Sequence, residues 1–278
     1  MQARIKLNLF LLGLIIVLAV YLTRTEAPTP VGQMFIPLST IDPATVNHIQ
    51  TSRPGMPDLI LQKSGTDWQI TSPVQVPANP FRVSSLLELL QTRSISTVTT
   101  VADAFGIADS QVTLSFNNNT FKFGNINTLD QSRDILFENT VHLIEDRLYD
   151  QLLQDVAFFA DKRLLPEAST LVRIKVPDIE LAYINNSWTQ LSGATPLPVI
   201  ALSELALRWS QLEATRISIA TVASVPADIV LETNAGELIE LAFISGAPEL
   251  LLQRIDTGMI YHYPAHTAIE LGVVRQVN

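Results

Sequence analysis

Cysteine is absent from all 278 residues, which excludes disulfides and thiolate catalysis and leaves the redox compartment open. No Gly-Lys pair occurs, so no P-loop can cradle a nucleotide phosphate. If ATP serves this protein, another subunit binds it. The Gly-x-Ser-x-Gly elbow of the α/β-hydrolases is also missing. Charge is sparse at 16% of residues, against 47% hydrophobic, a balance that favours a packed body over a disordered one. The net charge is −9. Arg4, Lys6, Arg24 and Glu26 give the segment before Ala27 a net +2, so the remainder carries −11. Such a body is repelled by nucleic acid and by anionic headgroups, and neither is expected as a large partner.

What is present begins with an apolar run, Leu7–Leu22, broken only by Asn8. It falls just short of the usual membrane span of about 17–25 residues. Arg4 and Lys6 precede it, Arg24 follows, and the next basic residue is Arg53. This asymmetry predicts a single-pass transmembrane helix within residues 1–26, crossing the lipid bilayer through residues 7–22, with the N-terminus cytoplasmic and the bulk of the chain periplasmic, at a bacterial inner membrane. The competing reading is a cleaved signal peptide, whose nearest cleavage-like site, Thr25-Glu26-Ala27, is followed by Pro28. Residues 27–44 read as a Pro-rich tether.

Beyond the tether the chain repeats itself. Asp58–Trp68 aligns without a gap with Asp178–Trp188, with Asp, Leu and Trp identical at the first, fourth and last places. Each stretch reads as a strand, a polar turn and a Trp opening the next strand. Apolar strands precede both, Val46–Ile49 and Leu171–Ile174, and Pro-containing loops follow both. An amphipathic helix comes next in each half: Val83, Leu86, Leu87 and Leu90 in one, Leu202, Leu205, Ala206 and Trp209 in the other. Asn79-Pro80 suits a helix start, with Asn as N-cap. Hairpins follow at Val112–Gly124 and Ile229–Phe243, then strand pairs at Asp134–Ile144 and Leu250–Tyr263. The expected fold is α+β, with two tandem similar units at 45–166 and 167–278, each a mostly antiparallel sheet with helices packed on one side. The first unit is expected to end in one long helix from Asp146 to about Phe159, absent from the second. Glu270-Leu271 reads as a strand or a turn.

The search for chemistry yields little. His262 and His266 have metal-ligand spacing, but Pro264 lies between them and removes the helical geometry, so no metal is expected. His142 and His262 fall on corresponding strands and read as ordinary strand positions. Glu145-Asp146 and Asp161 are the densest carboxylates, and Asp146 reads as a helix cap rather than an acid catalyst. Trp68, Trp188 and Trp209 are expected in the core. Asn118-Asn119-Thr120 and Asn185-Asn186-Ser187 are formal glycosylation sequons in predicted turns, where Asn is favoured regardless. No catalytic, cofactor or metal residue is assigned, and the chain is read as non-enzymatic.

Trp68–Pro73, Pro77-Ala78-Asn79, Arg82-Val83 with Leu86-Leu87, Phe105-Gly106-Ile107, Phe123-Gly124 and Leu164-Leu165-Pro166 together resemble a bacterial envelope family catalogued as domain of unknown function 4340. The resemblance covers residues 40–190 roughly, and Arg133-Asp134-Ile135 departs from it where Arg-Tyr-Val is expected. It implies a single-pass envelope protein that serves as an auxiliary component of ABC-type transport systems, including those linked to gliding motility. It carries over no catalytic residues. A permease and ATPase complex is then the expected partner, met through Pro77, Ala78, Asn79 and Arg82. A stand-alone module that binds glycan, lipid or peptide between the repeats is the alternative, and a carboxylate hydrolase a third.

Overall fold

The computed structural model describes residues 36–99, 105–165, 169–220 and 226–273. Antiparallel sheet dominates, with few and short helices. The first half contributes β1 (His48–Arg53), β2 (Met56–Ser64), β3 (Asp67–Ser72), β4 (Val76–Pro77), α1 (Pro80–Glu88), β5 (Ser96–Val98), β6 (Thr113–Phe116), β7 (Asn119–Asn127), β8 (Ser132–Phe137), β9 (Thr140–Glu145), α2 (Tyr149–Leu152) and α3 (Val156–Phe159). The second contributes β10 (Leu171–Val176), β11 (Ile179–Ile184), β12 (Ser187–Gly193), α4 (Val199–Ser210), β13 (Arg216–Ile219), β14 (Ile229–Thr233), β15 (Leu238–Ser245), β16 (Glu249–Arg254), β17 (Met259–Pro264) and α5 (Thr267–Glu270).

The nine-stranded sheet runs β4-β3-β2-β1-β6-β7-β8-β9-β5, and the eight-stranded sheet runs β12-β11-β10-β14-β15-β16-β17-β13. Strip β4 from the first and the two orders coincide, each with its longest helix between the third strand and the far edge strand. Register agrees as closely. Lys63 faces Trp68 and Tyr183 faces Trp188. A bulge falls between Ile60 and Leu61 in one hairpin and between Glu180 and Leu181 in the other, the same place in the ungapped alignment. Ile49 faces Leu61 as Ile174 faces Leu181, so the preceding strands also correspond.

Period-two burial explains why these stretches are strands. β1 alternates half-buried and buried residues, placing Ile49, Thr51 and Arg53 inward, and Leu59 and Leu61 of β2 are fully buried. On α1 the spacing seats Val83 and Leu86 in the core, and Leu89 and Leu90 follow in a 3-10 turn. Asn79 caps the helix as expected, its side chain accepting from the amides of Phe81 and Arg82. On α4, Leu202, Leu205, Ala206 and Trp209 are buried. Residues of both halves belong to one hydrophobic cluster.

Three expectations need correction. The long helix from Asp146 to Phe159 is two short ones, because Asp155 adopts extended backbone and its carboxylate accepts the Phe158 amide, starting α3 afresh. Of Glu270-Leu271, Glu270 ends α5 rather than lying in a strand or turn, while Leu271 lies in the turn that follows and, buried, accepts the Trp209 indole N–H through its carbonyl at 3.2 Å. Trp209 is fully buried, but Trp68 and Trp188 are only half-buried against the core. They stand on strands near the sheet edge, β3 and β12, and Trp188 packs against Tyr183 with ring centres 5.6 Å apart. Among the described residues no helix is long and apolar enough to cross a membrane. The expected anchor at 7–22 and residues 27–35 of the tether expected at 27–44 lie outside the described residues, while the tether's end packs on the first half, with Leu38 buried and its amide donating to Thr92 O at 2.9 Å.

Candidate functional site at the junction of the two halves

One stretch of backbone, Phe159–Leu165, stitches the halves together. Its first part bonds to the first half: Asn79 N donates to Phe159 O at 2.7 Å, Ala78 bridges Ala160, and Asp161 N donates to Pro77 O at 2.9 Å. Its second part bonds to the other half: Ala214 N donates to Lys162 O at 2.9 Å, Arg163 bridges Glu213, and Leu164 N donates to Leu212 O at 3.3 Å. Lys162 Nζ adds a bond to Thr215 O, and Arg254 Nη1 reaches Leu164 O. Backbone pairing on both sides fixes the angle between the sheets at this point.

Beside the stitch lies a groove of about 660 Å3, walled by Gln69 and Pro73–Pro77 on one side and Glu237, Arg254, Asp256 and Thr257 on the other. A smaller recess of about 110 Å3, lined by Asp67, Trp68, Pro80, Asp161 and Arg163 among others, also meets Gln69 and Pro77. The charges here are matched in pairs. Arg254, almost wholly buried, binds Asp256 at 2.9 Å and Glu237 at 3.3 Å. Burial works against its charge, but the hydrogen bond and negative charge of Asp256, with help from Tyr261 and Glu237, hold its pKa above the ordinary value. Arg163 pairs with Asp161 at 2.7 Å. Such a surface presents polar pairs that a ligand backbone can engage, beside the apolar edge of Val74, Val76 and Pro77.

The four residues expected to touch a partner are adjacent here, but their side chains are used within the molecule. Pro77 is half-buried and pairs with Gln69 across β3 and β4. Ala78 is buried and Asn79 is the helix cap. The Arg82 guanidinium lies 3.8 Å from the centre of the Phe158 ring. The large apolar side chain left exposed in the segment is Phe81, 81% accessible. Its signal was in the sequence: it falls off the face defined by Val83, Leu86 and Leu90, leaving a large aromatic with no core to enter.

A second constellation went unread in the sequence. Ser218 Oγ lies 2.8 Å from His262 Nε2, and His262 Nδ1 lies 3.0 Å from Glu249 Oε2. The order Ser, His, acid suggests a nucleophile relay. Its counterpart in the first half argues for a structural role: buried His142 meets Ser94 Oγ at 2.8 Å through Nδ1, on the strand that corresponds to β17. Both halves thus bury an imidazole on the penultimate strand against a serine, though through different ring nitrogens, and Ser94 precedes β5 whereas Ser218 lies on β13. Glu249 is also held by Arg216 at 2.8 Å, and hydrogen bonds from His262 and Arg216 keep its carboxyl below the usual range. The dense carboxylates noted in the sequence are likewise paired: Glu145 with Arg147, Asp146 with Arg133. His262 and His266 sit on β17 and at the start of α5, not on one helix. Among the described residues no three His, Asp or Glu side chains converge as metal donors.

Comparison with protein-family models, with curated proteins and with solved structures finds no match to this chain.

Proposed function

We propose that the two sheets are tandem copies of one unit, and that the protein is a non-enzymatic, membrane-anchored binding subunit of the bacterial envelope, working beside an ABC-type permease and ATPase. The groove at the junction carries this reading. It is built by both halves, its walls are fixed by backbone pairing along Phe159–Leu165, and its charges are pre-paired. Preorganised walls of this kind lower the ordering cost of binding, and ligand sites favour such interfaces between units. The resemblance to the envelope family supports the choice of a transport partner, and the apolar run at Leu7–Leu22 supports the anchor. The alternative, a stand-alone module for an envelope ligand, uses the same groove.

Affinity purification of the tagged full chain from native membranes in mild detergent tests the proposal. Repeated recovery of a permease and an ATPase, lost with Asp256→Lys, is the expected result. Recovery of neither, with the chain intact and folded, overturns the transport assignment, and recovery unaffected by Asp256→Lys removes the groove from it.

A further inference from the structure

The two sheets differ by one strand, and that difference marks a second surface. In the first half β4 covers the outer edge of β3: Val76 pairs with Ile70, Pro77 pairs with Gln69, and Ala78 N donates to Trp68 O at 2.9 Å. Val76 is thereby buried to 2% exposure. In the second half β12, which corresponds to β3 residue for residue, is the terminal strand of its sheet. The loop after it does not pair with it. Gln190, standing where Ile70 stands, instead straps the loop with its side chain, donating to Thr195 O and accepting from Leu197 N. The chain passes over the strand rather than along its edge, leaving a groove of about 380 Å3 between Ser187–Gly193 and Pro196, Leu197, Val199 and Leu202.

The surface chemistry has changed in step. Where the first half has Lys63, Ser64 and Thr71, the second has Tyr183, Ile184 and Leu191, each more than 40% exposed. Val199 and Ile200, at the start of α4, are exposed beside them at 59% and 73%. No charged residue occurs from Leu181 through Ser203, in a chain of net charge −9. Exposed edge strands are ordinarily protected by charge, proline or a bulge toward the open side. This one has an uncharged, apolar rim instead, which suits strand addition.

We propose that the outer edge of β12 is a strand-acceptor site, taking an extended, uncharged, valine- and proline-bearing segment of a partner protein as an added antiparallel strand. The first half supplies the template for the occupant: Val76-Pro77, an extended pair with its valine turned into the core. The rim also selects against charge, since it offers no counter-ion and a charged strand laid on it would be desolvated unpaired. The inference is independent of the junction groove, which lies against β4 and β16.

The test uses the full chain in mild detergent and an end-capped synthetic peptide with the sequence of Ser72–Asn79. Hydrogen exchange should slow across Ser187–Gly193 when peptide is added. Leu191→Lys should weaken binding by about tenfold or more, the cost of placing a charge in an apolar contact. Thr71→Lys, the same position in the first half, should leave it unchanged. If L191K fails to fold, Leu191→Asp places a charge at the same exposed position and should weaken binding in the same direction. Slowing confined to β3 or to the junction groove, no slowing at millimolar peptide, or equal binding by the Leu191 variants overturns the proposal. So does peptide-independent self-association that L191K abolishes, which would assign the edge to a second copy. Loss of the transporter pull-down with peptide binding intact would overturn only the preceding reading.

Discussion

Arg133 and Asp146 form an ion pair with both side chains largely buried, and substituting them tests how dry its surroundings are. The guanidinium Nε lies 2.7 Å from Asp146 Oδ2, with side-chain exposures of 8% and 9%. Arg133 also donates to Gly124 O at 2.7 Å and stacks 3.6 Å from the Tyr149 ring centre. Asp146 accepts the Tyr149 amide through its other oxygen at 3.1 Å. Arg133→Met leaves a buried carboxylate without its cation, which should cost about 3–5 kcal/mol. Asp146→Leu leaves a buried guanidinium and an uncapped Tyr149 amide, a loss of similar size. The double variant removes both charges and keeps only the smaller losses at Gly124 O and the Tyr149 amide, about 1–3 kcal/mol together. It should therefore be more stable than either single variant. Urea unfolding at neutral pH reads this directly, as midpoint shifts at constant slope. A single Arg133→Met costing under about 1 kcal/mol, the range of an exposed pair, would refute the reasoning. So would a double variant whose loss equals the sum of the two.

Three further outcomes are expected. Burial depresses the His142 pKa below 6.5, so the unfolded chain binds the extra proton and stability falls as pH drops through 6.5 toward the folded value; His142→Gln should flatten that part of the urea-midpoint profile, and an unchanged slope would contradict it. A Cβ on Gly124 would sit 2.4 Å from Phe105 O, so Gly124→Ala should lower stability by about 1–3 kcal/mol in the same assay, whereas a neutral result would mean that loop does not close over β7. Ser218 should not react with a fluorophosphonate probe, because it sits within the strand β13 rather than on a nucleophile elbow and the Glu249 behind its His262 is held by Arg216; a labelled Ser218 peptide in a tryptic digest would reopen hydrolysis.

The ungapped match from Asp58 to Trp68 with Asp178 to Trp188 made the architecture legible because strand period, turn and bulge all reside in local spacing. The corresponding strands and helix faces followed from the same periodicities. Partners distant along the chain were not legible. Arg133 and Asp146 meet only because β8 and β9 pair, and Ser218 meets His262 across β13 and β17. Asp155 broke a helix whose apolar spacing ran on unbroken, since capping there outweighs the pattern. A distinctive stretch such as Pro77–Arg82 can serve packing: its cap, its bridge to Ala160 and its stack on Phe158 account for three of the four residues expected to touch a partner. Both halves carry a proline-containing loop after the Trp strand. In the first half it pairs with Ile70 as a strand, and in the second the Gln190 side chain straps it instead, contacts no periodicity reports.

Site-specific photo-crosslinking in native membranes tests the central claim most directly. A crosslinker placed at Gln75, exposed on the wall of the junction groove, should capture an ABC-type permease or ATPase identified by mass spectrometry, while one at Leu129, 94% exposed on the turn between β7 and β8, should not. Equal capture from both positions, or none from Gln75 with the chain folded and membrane-bound, would contradict a partner held at the junction of the two halves.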